Sequence, residues 1–204
     1  MFDVATLWTV TEHLPDNSKV IKGVFDYLEP GQLLCLSHHN YYSYDGHHVA
    51  PNTPSQYDPS NTAHRHVANW QHLEPSSTAV YNKRSLNRVR LGDLVALVRT
   101  YFRCSWTAVS SHGARKALVP KLLKKLQARG FVKTELLVTR WDAKCKRRDK
   151  ALDAAWLPSA VLYHPPTDGS YAPQLLPPAM IRQLDTMATK AAHYRDTIDE
   201  EART

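Results

Sequence analysis

Two neighbouring residues, Glu12 and His13, have the types and position needed for acid–base chemistry. They follow a nearly continuous apolar run, residues 2–8, that predicts a strand buried on both faces. A histidine at the end of such a strand can accept a proton or orient a donor near neutral pH. We predict a site role for the pair; the alternative is hydrogen bonding that caps and orders a loop.

A polar and aromatic stretch, residues 38–48, follows a second apolar run. Its tyrosines could offer ring faces to a cation or walls to an aromatic substrate. Ordinary packing of the loop over the core is an equal alternative. His47 and His48 end this stretch, and on their own they could be solvated loop histidines.

Histidines are crowded in one part of the chain: His38, His39, His47, His48, His64, His66 and His72. Imidazoles in this number could bind zinc or another divalent metal. We nevertheless expect no metal, because neighbouring histidines rarely point at one ion and no cysteine or acidic residue has ligand spacing.

The predicted elements around these groups begin with a parallel βαβ unit. Residues 16–18 offer caps for a helix whose apolar positions recur to Leu28, and Pro30-Gly31 ends it. Residues 32–37 predict the second buried strand. Strand, helix and strand in this order indicate a parallel pair, and loops at the carboxyl ends of parallel strands are suitable places for a site.

Further along, helical spacing from Leu91 to Phe102 precedes a short strand at 104–108, and another helix ends at Gly130. Residues 139–146 alternate with period two, which predicts a half-exposed antiparallel strand at a sheet edge. The three cysteines are widely spaced within predicted strands, so we expect reduced, buried thiols.

A chain of 204 residues with 43% hydrophobic residues is large enough for one domain with its own core. We assign residues 1–150 to that domain and 151–204 to a partly disordered tail with a possible helix at 178–200. The sequence shows neither a membrane-spanning apolar run nor a signal peptide, so we expect a cytoplasmic protein without membrane contact.

The net charge of +7 is concentrated between Arg115 and Lys150. Lysines at 121, 124 and 125 with Arg129 lie along one side of a predicted helix, as on a phosphate-tracking surface. Such a pattern is usually a solvated helix face, so nucleic-acid binding stays an alternative that we do not favour.

A set of residues in the first half matches one family motif in order and spacing: Asp3, Glu12, His13, Asp16, Leu28, Pro30 and Gly31. This stretch resembles the fourth strand, following helix and fifth strand of class I S-adenosylmethionine-dependent methyltransferases, and it departs at Gln32, where a second glycine is usual. Asn40-Tyr41-Tyr42-Ser43 and Gly46-His47-His48 resemble the loop of a type 11/12-like subset. The resemblance covers residues 2–150.

The resemblance implies an α/β fold: a partial Rossmann-like sheet of the later methyltransferase strands, the last one antiparallel, with flanking helices. It implies S-adenosylmethionine as cofactor, contacted by Glu12 and Trp8. It also implies catalytic roles for His13, His47 and His48. Asn40, Tyr41 and Tyr42 would bind the substrate, which we expect to be a small-molecule or glycan-like acceptor.

The family's earlier strands and glycine-rich cofactor loop have no counterpart in this sequence, since no two of its seven glycines are two residues apart. We therefore expect a complementary amino-terminal half or a homodimer as partner. The alternative to an enzyme is a non-catalytic methyltransferase remnant that acts as a partner or scaffold.

Overall fold

A four-stranded mixed sheet with helices packed against it forms the framework of the computed structural model, which describes residues 2–77, 86–111 and 113–152. The chain begins with β1 (Phe2–Trp8), α1 (Asn17–Tyr27) and β2 (Leu28–His39). It continues through a long segment with one short helix, α2 (Thr62–Val67), and two single 3₁₀ turns (Pro54–Gln56 and Gln71–Leu73). The α/β class expected from the sequence is confirmed.

From residue 86 to residue 152, the described part of the chain contains four helices and two strands. These are α3 (Leu91–Tyr101), β3 (Phe102–Ser110), α4 (Ala114–Ala117), α5 (Pro120–Ala128), α6 (Lys133–Leu137) and β4 (Val138–Arg147). The strand order in the sheet is β1-β2-β4-β3. β1 and β2 are parallel, as the βαβ prediction requires, whereas β4 is antiparallel to both of its neighbours.

Local signals in the sequence account for several element ends. The side chain of Asp16 accepts a hydrogen bond from the backbone N–H of Lys19 at 2.9 Å, so it caps α1 as predicted. Gly130 follows α5 with φ of 84°, a left-handed conformation that glycine adopts without steric cost. Within the described residues, the predicted strands and helices lie where the apolar spacing places them, except that α1 ends at Tyr27, and Pro30 and Gly31, the residues predicted to end it, lie in β2.

The main core lies between one face of the sheet and the helices α1 and α3. Leu34 and Leu36 of β2 and Trp141 of β4 are fully buried there, and Ile21 and Leu94 pack on them from the helices. A second apolar cluster joins the long segment after β2 to α5 and α6, with Tyr44, Trp70 and Leu136 at its centre. It covers the end of the sheet where β2 terminates.

Two predictions about strand environment are wrong. β1 is not buried on both faces: Phe2, Val4 and Trp8 are exposed, whereas Ala5 and Leu7 pack against the core. β4 is not an edge strand, since it lies between β2 and β3. Its alternation is nevertheless real, with Trp141 turned into the core and Lys144 exposed.

The prediction of three reduced thiols is also wrong. Cys104 and Cys145 form a disulfide, because they are directly opposed across the antiparallel β3–β4 pair. Cys35 is the remaining free thiol and is partly buried. The possible helix at 178–200 and the rest of the tail beyond residue 152 lie outside the described residues. No helix in the described ranges is long and apolar enough to span a bilayer.

Candidate functional site

The carboxyl ends of β1 and β2 lie side by side, because the two strands are parallel and adjacent. β1 leads into the loop that carries Glu12 and His13, and β2 ends at His38 and His39. The edge of a parallel pair at which loops leave the strands is a common location for ligand sites in α/β sheets. The two loops therefore bring the predicted site residues of both segments into one region.

Two asparagines hold the loop after β1 in place. The amide of Asn87 donates to the carbonyls of Thr11 and Leu14, each at 2.6 Å, and the amide of Asn17 donates to Thr11 at 2.9 Å. The backbone N–H of Asn87 also donates to the carbonyl of Glu12 at 2.7 Å. These bonds fix the backbone on which the Glu12 side chain is carried.

Glu12 and His38 meet inside the protein, where both are about 1% exposed. Nδ1 of His38 lies 2.8 Å from the hydroxyl of Thr11 and 3.7 Å from Oε2 of Glu12. Burial, together with His39 and His48, lowers the pKa of His38 to about 3, so its ring is neutral at pH 7. The contact with Glu12 is therefore polar and not an ion pair, despite its distance.

One oxygen of the Glu12 carboxylate, Oε1, is buried and has no hydrogen-bond partner among the described residues. A buried carboxylate oxygen without a partner is costly, because the group has lost its water. The oxygen lies in the same cluster as two further imidazoles, which gives it potential partners of a different kind.

His39 and His48 stack on one another with ring centroids 4.1 Å apart and an interplanar angle of 29°. One potential ligand atom from each of Glu12, His39 and His48 lies within 4.8 Å of the other two. Our expectation of no metal assumed that an acidic partner was lacking. Folding supplies that partner, because Glu12 comes from the loop after the neighbouring strand.

His13 lies at the outer side of this cluster. It is exposed to solvent, and its ring centroid is 5.8 Å from that of His48. Burial, aided by His39, lowers the pKa of His48 to about 4. Of the three histidines predicted to be catalytic, His13 therefore has the most open access to solvent.

His47, the third of these histidines, is completely buried. Its Nδ1 accepts from the backbone N–H of Val49 at 3.3 Å, and its ring centroid is 5.1 Å from that of His72. Burial, with the neighbouring His72, lowers the pKa of His47 to about 3. The structure thus separates His47, which faces the second apolar cluster, from His48, which faces Glu12.

Asn40, Tyr41 and Tyr42 are also buried and bonded within the protein. The amide of Asn40 donates to the carbonyls of Glu135 and Val138, each at 2.7 Å. The Tyr41 hydroxyl donates to the carbonyl of His72 at 3.1 Å, and that of Tyr42 to Arg88 at 2.7 Å. These contacts favour the packing alternative, and substrate binding by the three residues stays a prediction.

The Gly46-His47-His48 turn requires its glycine. A Cβ atom at position 46 would lie 2.0 Å from the carbonyl oxygen of Tyr41, which no side chain can tolerate. His48 has a φ of 58°, in the left-handed region that non-glycine residues rarely adopt. Backbone conformations of this kind are found most often at functional sites.

Trp8 is 66% exposed at the end of β1, on the face of the sheet opposite α1 and α3. Beside the other face, an apolar groove runs between β1 and α1, lined by Phe2, Val4, Val24 and Tyr27. The cofactor residue predicted on β1 is therefore accessible, and the exposed edge of the strand is flanked by apolar surface.

The basic side chains of α5 are partly engaged within the protein. Glu74 lies 2.8 Å from Nζ of Lys125 and 3.1 Å from Nη1 of Arg129, so two of the four cations hold α5 against the segment before it. Lys121 and Lys124 are exposed. The helix therefore offers a weaker phosphate-tracking surface than its sequence suggests.

Comparisons with protein-family profiles, with curated proteins and with solved structures found no match to this chain. Two positions important to the site were missed from the sequence, His39 as part of the cluster and Asn87 as the residue that fixes the Glu12 loop. His39 could have been found, because it ends the strand predicted to be parallel to the one before Glu12. No pattern in the residues around Asn87 indicates that its side chain holds the Glu12 loop.

Proposed function

We propose that this chain is the acceptor-side half of an S-adenosylmethionine-dependent methyltransferase that acts on a small-molecule or glycan-like acceptor. The observation that carries the proposal is the convergence of Glu12, His13 and His48 at the carboxyl ends of the parallel strands β1 and β2. This is the position that the methyltransferase resemblance implies for the cofactor and acceptor. The antiparallel β4 also agrees with the implied last strand of a Rossmann-like sheet.

Trp8 supplies the cofactor contact in this proposal. The sulfonium of S-adenosylmethionine is a cation, and an indole face attracts a cation more strongly than the other aromatic rings do. Trp8 is exposed at the end of β1. β1 continues into the loop that carries Glu12, the second residue expected to contact the cofactor. One segment of the chain therefore carries both residues.

The acceptor would be activated by an imidazole. Methyl transfer is an in-line displacement in which the acceptor's lone pair forms the new bond to carbon as the carbon–sulfur bond breaks, and the acceptor's proton passes to a base. His13 is exposed and lies beside the His48 ring, so it can reach an acceptor that enters from solvent. His47 would contribute indirectly, because its Nδ1 accepts a hydrogen bond from the backbone N–H of Val49 and so holds the turn that carries His48.

The remaining cofactor contacts would come from strands that pair with the outer edge of β1. That edge has no neighbour in the described part of the chain, and Phe2, Val4 and Tyr27 beside it are exposed and apolar. A complementary half, on a separate polypeptide or in a longer form of this one, would continue the sheet there. The chain alone should bind the cofactor weakly but measurably.

The non-catalytic scaffold is the second candidate, and the same exposed edge of β1 favours it. An unpaired strand edge flanked by apolar surface captures other chains readily. In that case the chain would associate through β1 and would have no affinity for the cofactor, so cofactor binding separates the two candidates.

Titration of the purified chain with S-adenosylmethionine by calorimetry tests the proposal, with a chelator present so that metal ions do not contribute. We expect binding that Trp8→Ala weakens about tenfold, the loss of one cation–π contact. Tyr27→Ala is the matched control, because Tyr27 is a similarly exposed aromatic residue on α1. Absence of binding by the parent chain would reject the proposed function.

A further inference from the structure

The cluster formed by Glu12, His39 and His48 has the donor set of a transition-metal site. Two imidazoles and one carboxylate on one side of an ion leave positions open opposite them, and this arrangement is used by zinc and non-haem iron centres. The three potential ligand atoms come from the loop after β1, from the last residue of β2 and from the segment after β2, yet they lie within 4.8 Å of one another. Folding alone has therefore assembled them.

The distances between the three potential ligand atoms are close to those between the ligands of a bound ion. Ligands about 2.1 Å from a tetrahedral zinc ion are roughly 3.4 Å from each other. Donors at up to 4.8 Å need to approach by at most about 1.4 Å, which rotation of the side chains can supply. The stacked rings of His39 and His48 already hold two of the donors side by side, with centroids 4.1 Å apart and planes inclined by 29°.

The buried state of Glu12 is independent support. Its Oε1 atom has no hydrogen-bond partner among the described residues, although the side chain is about 1% exposed. A cation would satisfy this oxygen and offset the cost of burying the carboxylate. No described lysine or arginine forms an ion pair with Glu12, and its ionisable neighbour is His38, whose Nδ1 lies 3.7 Å from Oε2.

The surroundings of the two imidazoles also suit metal binding. Oδ2 of Asp45 lies 3.5 Å from Nε2 of His39. In metal sites, a carboxylate next to a ligating histidine orients its ring. The His48 ring stacks on that of His39, and both rings are only partly exposed. His39 therefore has a second carboxylate beside it, that of Asp45, in addition to the carboxylate of Glu12.

We propose that Glu12, His39 and His48 bind a divalent transition-metal ion, with zinc as the ion tested. The donor set of two nitrogens and one oxygen favours zinc, cobalt or iron over magnesium and calcium, which prefer oxygen ligands. The exposed ring of His13 has its centroid 5.8 Å from that of His48, and three protein ligands leave coordination positions open. Water or an oxygen of a substrate could occupy them. This proposal does not rest on methyl transfer.

Calorimetric titration of the metal-free protein with Zn²⁺ near neutral pH tests the site. We expect one strong site, and both His39→Ala and Glu12→Gln should weaken binding by more than about tenfold. His66→Ala is the matched control, because His66 is exposed on α2, away from the cluster, and its loss should leave the affinity unchanged. His39→Ala is the safer variant, since His39 is partly exposed and Glu12 is buried.

Cobalt provides a second readout that reports the ligands directly. Co²⁺ bound to nitrogen and oxygen donors in a four- or five-coordinate site absorbs visible light strongly, and the band should be missing in His39→Ala and retained in His66→Ala. Circular dichroism of each variant establishes that it is folded. No strong zinc binding by the parent, or equal affinity in His39→Ala and the parent, would overturn the proposal. Neither result depends on cofactor binding.

Discussion

The carboxylate of Glu12 lies 3.7 Å from Nδ1 of His38, although Glu12 is in the loop after β1 and His38 is near the end of β2. The contact exists because β1 and β2 are parallel neighbours whose carboxyl ends coincide. It places an acidic residue among histidines that have no acidic neighbour at ligand spacing in the sequence. The proposed metal site and the proposed acceptor site both follow from this one relationship.

Replacing Gly46 by alanine should damage the turn that carries His48. The new Cβ would lie 2.0 Å from the Tyr41 carbonyl oxygen, so the backbone must move, at a cost of about 2 kcal/mol or more of unfolding free energy. Urea denaturation measures the change. Gly23→Ala is the control, because nothing lies within 4 Å of a Cβ there and α1 should gain about 0.5–1 kcal/mol. Equal effects would contradict the packing of this turn.

Arg90→Met should be strongly destabilising because it leaves Glu135 buried without its partner. Nε of Arg90 donates to Oε1 of Glu135 at 2.7 Å, and burial raises the pKa of Glu135 while Arg90 opposes that rise. Breaking such a buried pair costs about 3–5 kcal/mol. The double variant with Glu135→Leu should regain much of the loss in thermal or urea unfolding.

An exposed ion pair provides the comparison for that experiment. On the surface of α1, Nζ of Lys22 lies 2.6 Å from Oδ2 of Asp26. Because this pair is exposed, Lys22→Met should change the unfolding free energy by less than about 1 kcal/mol. If Arg90→Met cost no more than Lys22→Met, the buried pair would not stabilise the region around Asn40 as the structure indicates.

The stability of the fold should fall as the pH is lowered from about 6.5 towards 4. Burial lowers the pKa of His72 to about 4, although the carbonyls of Tyr41 and Val67 oppose this. In that window His72 binds a proton in the unfolded chain and not in the folded protein, so this residue alone makes acid favour unfolding by up to about 1.4 kcal/mol per pH unit, in addition to His38, His47 and His48, whose pKa values are also lowered. Urea unfolding at several pH values gives the slope.

His72→Gln should reduce that slope, and His66→Gln, at an exposed histidine, is the matched control. The comparison of slopes is informative even if His72→Gln is less stable than the parent at every pH. An unchanged slope in His72→Gln would mean that His72 is protonated in the folded protein.

The Cys104–Cys145 disulfide predicts one accessible thiol in the denatured, unreduced protein, that of Cys35, and three after reduction. Thiol titration with mass spectrometry measures both numbers. Reduction should also lower the unfolding free energy by about 2–4 kcal/mol, since it frees a loop that the bond closes. Three reactive thiols before reduction would contradict the bond.

Much of the fold could be predicted from the sequence because local chemistry determines it. The Asp16 cap, the left-handed Gly130 and the apolar spacing of α1 and α3 are readable from neighbouring residues, and the structure confirms them. The alternation of β4 was read correctly for the same reason.

The errors concern neighbours that only the three-dimensional pairing supplies. Whether β4 lies at an edge, and whether Cys104 faces Cys145, depends on which strand pairs with which and in what register. The partners of Glu12 likewise come from a different strand. Sequence spacing contains no signal for such contacts until the sheet order is known.

The cofactor titration, extended to Glu12→Ala, tests the central claim most directly. With a chelator present, the parent chain should bind S-adenosylmethionine and Glu12→Ala should bind it much more weakly, while circular dichroism shows that both are folded. That result would place the cofactor beside the loop after β1. No detectable binding by the parent, or equal binding by the variant, would contradict the proposed methyltransferase site.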